Sequence, residues 1–65
     1  MNQGFKLKPH KNYIGSVNAE VEKGYYWGVI LDIPVSIEYT AETLEDLQEE
    51  FDAAVDEYLR IVGRT

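Results

Sequence analysis

The sequence predicts an α+β domain in which a three-stranded antiparallel sheet is followed by one long helix packed on one face. Three observations predict it. Apolar and polar residues alternate at period two in runs between residues 13 and 40, and from residue 44 the apolar period lengthens to three and four. Gly24 and the Asp32-Ile33-Pro34 segment divide the first part into strand-length pieces.

Met1 to Lys11 is polar, basic and aperiodic, so residues 1–11 are expected as a flexible arm and residues 12–65 as the folded domain. A first strand is expected over Asn12–Val21, where Tyr13, Val17, Ala19 and Val21 interleave with Ser16, Asn18 and Glu20. Gly15 falls on the apolar side, where it marks a bulge or a close approach. Glu22-Lys23-Gly24 reads as a tight turn, with Gly24 supplying a positive φ.

The second strand, Tyr25–Leu31, is apolar on both sides: Tyr25, Trp27, Val29 and Leu31 point one way, Tyr26, Gly28 and Ile30 the other. Pro34, which lacks an N–H, ends it, and a third strand follows over Val35–Tyr39. Leu44, Leu47, Phe51, Ala54, Val55, Tyr58, Leu59 and Val62 then form one stripe on a helix of about five turns, with Phe51 central. Thr43 is the expected N-cap, with Asp46 three residues on; Glu45 and Asp46 begin the helix, Arg60 lies in its last turn and Gly63 stops it.

One helix covers one sheet face. The four large side chains Tyr25, Trp27, Val29 and Leu31 suit a five-turn stripe, so they are expected beneath it, leaving Ile14, Tyr26 and Ile30 for self-association as a homodimer or higher oligomer. The alternative is that the N-terminal arm folds back over that face. A chain of 65 residues buries only about 60% of its unfolded surface. It has no cysteine to staple it and one histidine, which points the same way.

The net charge of −6 is uneven: residues 24–65 carry ten acids against Arg60 and Arg64, a net −8. Such a surface repels nucleic acid and suits a basic protein. No apolar run marks a signal peptide or membrane span, and a soluble, cytoplasmic protein is expected.

No catalytic centre, metal site or cofactor is expected. His10 is the only histidine and has no carboxylate nearby in sequence to orient it as a base. Glu45, Glu49, Asp52 and Asp56 recur at helical spacing, as a solvated or partner-binding face rather than a converging metal cluster. The glycines form no phosphate-binding pattern, and Tyr25-Tyr26-Trp27 contains no basic residue that would suit RNA stacking.

Tyr13-Ile14-Gly15-Ser16-Val17, Gly24-Tyr25-Tyr26-Trp27-Gly28 and Thr43-Leu44-Glu45-Asp46-Leu47 through Phe51 to Ala53-Ala54-Val55-Asp56-Glu57-Tyr58-Leu59 together resemble the HicB-type antitoxins. The resemblance spans Asn12 to Gly63. It implies a partial ribonuclease-H-like domain, without that enzyme's active site, which binds and neutralises a small basic messenger-RNA-cleaving toxin of the HicA type. From their charge and helical spacing, Glu45, Glu49, Asp52 and Asp56 are the acids expected to pair with such a partner's lysines and arginines. Family members commonly continue into a DNA-binding module after the helix, whereas this chain ends at Thr65, so operator binding is not carried over. The alternative reading is a phage or mobile-element inhibitor of a host nuclease or CRISPR complex.

Overall fold

A computed structural model describes residues 6–63. Strands β1 (Asn18–Glu20), β2 (Tyr25–Val29) and β3 (Glu38–Ala41) precede helix α1 (Leu44–Val62). The strands form an antiparallel sheet in the order β1-β2-β3, and Ala19 faces Tyr26 while Tyr39 faces Gly28. The β-β-β-α architecture is the one the sequence predicts.

The strands are shorter than the period-two runs, for local reasons. The first run pairs with the second as far back as Ile14, whose carbonyl accepts from Leu31 N–H at 2.8 Å, and Gly15 bridges Ile30. At Ser16 the ladder breaks. Its N–H still donates to the Val29 carbonyl at 2.9 Å, but Val29 N–H donates to Ser16 Oγ, and the Ser16 carbonyl instead accepts the Tyr39 hydroxyl at 2.9 Å. Upstream, Lys11 and Asn12 have φ of 51° and 72° between the paired residues His10 and Tyr13. Positive φ at both centres is the geometry of a two-residue hairpin turn, which removes Asn12 from the sheet.

At the other end of the run, Gly24 has φ 77° and its N–H closes the β1–β2 turn on the Glu20 carbonyl. The third strand begins late because Asp32 has φ 62° and Pro34 follows, so the chain bends before Ile37 accepts from Ile30 N–H. It then runs two residues past Tyr39, to Ala41 opposite Tyr26.

Helix α1 has the predicted bounds. Thr43 is extended, and its hydroxyl accepts from Asp46 N–H at 3.0 Å. Gly63 stops the helix without entering the left-handed region: its φ is −72°, and its N–H donates to the Leu59 carbonyl.

The core forms where α1 lies on the sheet. Leu47, Phe51 and Val55 are fully buried against Ile30 and Tyr39, and Leu7 joins them. Burying each such side chain contributes about 1.5–3 kcal/mol. Phe51 is central, its ring 5.5 Å from that of Tyr39.

The face expected beneath the helix is corrected. Ile30 is 4% exposed and Gly28 is buried, while Tyr26 packs against the core at its margin. Tyr25, Trp27 and Val29 lie on the outer face, only half-buried. The flanking strands decide this: Val17, Ile37, Tyr39 and Ala41 are apolar beside the inner residues, whereas Asn18, Glu20, Glu38 and Thr40 flank the outer ones.

Two glycines make the inner face possible. A Cβ on Gly28 would stand 1.9 Å from the Ser16 carbonyl oxygen, and one on Gly15 would stand 2.1 Å from the Tyr39 hydroxyl and 2.7 Å from the Phe51 ring. The missing side chains are the space that Tyr39 and Phe51 fill.

Candidate partner-binding surface

Glu45, Glu49, Asp52 and Asp56 are spaced four, three and four residues apart on α1, so they line one strip of the helix. The burial of Phe51 and Val55 fixes its orientation. All four carboxylates are at least partly solvent-accessible.

The two halves of the strip differ. Asp56 receives His10 Nε2 at 2.8 Å and Lys11 Nζ at 2.9 Å, and Asp52 lies 3.6 Å from His10 Nδ1. The hydrogen bond from Lys11, then that from His10, holds the Asp56 carboxyl below its ordinary pKa. Glu45 and Glu49 make no such contact among the described residues.

Gln48 ties the N-terminal segment to the helix. Its Oε1 accepts Lys8 N–H at 2.7 Å, and its Nε2 donates to the Lys8 carbonyl at 3.1 Å and to Asp52 Oδ1 at 2.9 Å. The side-chain amide acts as a strand partner for one residue, and this pattern also sets which end of the amide is oxygen. With Leu7 in the core, residues 6–11 pack along the helix, while residues 1–5 of the expected arm lie outside the described residues. The Tyr13 ring continues the contact, edge-on to Tyr58 at 5.9 Å.

His10, Lys11 and Gln48 are the site residues that sequence reasoning missed. The carboxylate that pairs His10 lies 46 residues away in the chain, and only the turn at Lys11-Asn12 brings the ring to it. Both ring nitrogens face carboxylates, so the arrangement is a clasp.

Of the three residues expected to mediate self-association, Ile14 is half-exposed. Ile30 is withdrawn into the core and Tyr26 lies against it, because the flanking apolar residues draw the helix to their side. On the outer face Trp27 Nε1–H donates to Glu20 at 3.2 Å; Leu31, in the bend past β2, is 39% exposed and lines a cleft with Leu7, Pro9, Ile14 and Val17.

An apolar cleft of about 320 Å³ lies between Val35 and Ile37 and the helix residues Ala54, Tyr58, Ile61 and Val62. Among the described residues no group of three or more histidines or acids is placed to hold a metal ion. No described helix is long and apolar enough to cross a membrane.

No family model matches the chain, and searches of curated proteins and of solved structures likewise give no match.

Proposed function

We propose that this chain is an antitoxin-like inhibitor that binds a small basic RNA-cleaving protein of the HicA type through the acidic strip of α1. The observation that carries this reading is the strip itself: four carboxylates on one rigid face, with basic groups of the same chain already paired to two of them. A rigid row of acids steers a basic partner into register and speeds its encounter. The motif resemblance to HicB-type antitoxins supplies the partner class. Contacts between copies, in this reading, use the outer face around Tyr25, Trp27 and Val29.

The test uses Glu45→Lys/Glu49→Lys, which reverses the open half of the strip without touching the core. Affinity capture from the source cell with wild-type protein is expected to yield a small basic protein whose RNA cleavage in vitro is suppressed by the wild type. The double variant should lose both capture and suppression, and added salt should weaken the wild-type complex. Capture that survives the reversal, or a captured protein whose cleavage continues in the complex, overturns the reading.

A further inference from the structure

The segment that lies against α1 is chemically what the strip is proposed to bind. Lys6, Lys8, His10 and Lys11 fall within six residues, and two of these side chains rest on Asp52 and Asp56. Its structural anchoring comes from other groups, namely the buried Leu7 and the two backbone hydrogen bonds between Lys8 and Gln48. The Lys11–Asp56 pair sits in solvent instead, with the Lys11 side chain 58% and that of Asp56 50% exposed, and the His10 ring is partly open to it at 27%. Pairs this exposed are weak and readily exchanged for another cation.

We propose that His10 and Lys11 form an autoinhibitory contact, an internal competitor that holds Asp52 and Asp56 until a basic partner displaces it. The inference rests on the partner-binding reading above. Glu45 and Glu49 are the landing half of the strip; as the clasp opens Asp56 becomes available, and Asp52 loses its histidine neighbour while keeping the hydrogen bond from Gln48. Competition lowers apparent affinity by the fraction of molecules that are open, so removing the competitor raises it.

The turn allows a clean removal. Lys11 has φ 51°, and asparagine is favoured at such a position, so Lys11→Asn deletes the amine while keeping the hairpin. Lys8→Asn is the charge-matched control: its side chain makes no ion pair with the strip, and its contacts to Gln48 are through the backbone. The probe is a fluorescein-labelled oligolysine peptide, and its anisotropy is followed at low ionic strength with wild type, Lys11→Asn and Lys8→Asn. His10→Gln serves as a second release variant, and circular dichroism checks that each variant is folded.

Lys11→Asn and His10→Gln are each expected to tighten binding by about two- to fivefold, with Lys8→Asn giving a smaller change. Equal tightening in Lys11→Asn and Lys8→Asn reduces the effect to net charge and overturns the competition while leaving the partner-binding reading intact. No binding to wild type or to any variant overturns both.

Discussion

The two faces of β2 carry opposite lessons. Its outer residues Tyr25, Trp27 and Val29 are the larger set, yet the helix covers the inner face of Tyr26, Gly28 and Ile30. Apolar bulk on one strand therefore does not choose the buried side. The neighbouring strands choose it: Tyr39 from β3 lies over Gly28, and the absence of side chains at Gly28 and Gly15 admits its ring and that of Phe51. Gly28, between Tyr26 and Ile30 on that face, is part of the socket for a tyrosine.

Adjacent residues put this comparison at greatest risk. Ile30→Glu places an unpaired carboxylate in the core at a cost of several kcal/mol, near the whole stability of a small domain, and should unfold the chain at 25 °C. Leu31→Glu, one residue on in the exposed bend past β2, should change stability by less than about 1 kcal/mol. Urea denaturation of the pair decides it: a folded Ile30→Glu together with an unfolded Leu31→Glu would reverse the face assignment.

A smaller effect is expected from Gly28→Ala. Its Cβ must displace the Ser16 carbonyl, which is backbone, and overpacking of this kind costs about 1–3 kcal/mol. Wild-type stability in Gly28→Ala would mean that the socket is not filled as described.

The mildest test titrates the socket's occupant. Burial pushes the Tyr39 phenol up from 10.0 to about 12. A phenol whose folded pKa is raised leaves stability intact below its unfolded value and loses it as pH rises through the folded one, so this contribution erodes between about pH 10 and 12. Absorbance at 295 nm should show a late phenolate step near pH 12 that is missing in Tyr39→Phe. An unchanged titration in that variant would place the late phenol elsewhere.

The acidic strip was legible because helix periodicity is strong: spacings of four and three put Glu45, Glu49, Asp52 and Asp56 together as soon as the apolar stripe set the phase. Its occupant was not legible. Nothing local to His10 or Lys11 shows that Asp56 is their partner, since the pairing depends on a hairpin turn made by two residues that are not glycine.

By itself the sequence determined the order of elements, the helix from Leu44 to Val62 with its Thr43 cap, the central place of Phe51 and the acidic strip. Each of these rests on interactions within a few residues, or on a repeat long enough to survive averaging. The tertiary structure alone decided which face of β2 is covered, where the ladder breaks at Ser16, and that residues 6–11 lie on the helix. Those outcomes depend on contacts between residues far apart in the chain, where the shape of one partner, a missing Cβ or a turned carbonyl, acquires meaning only beside the other.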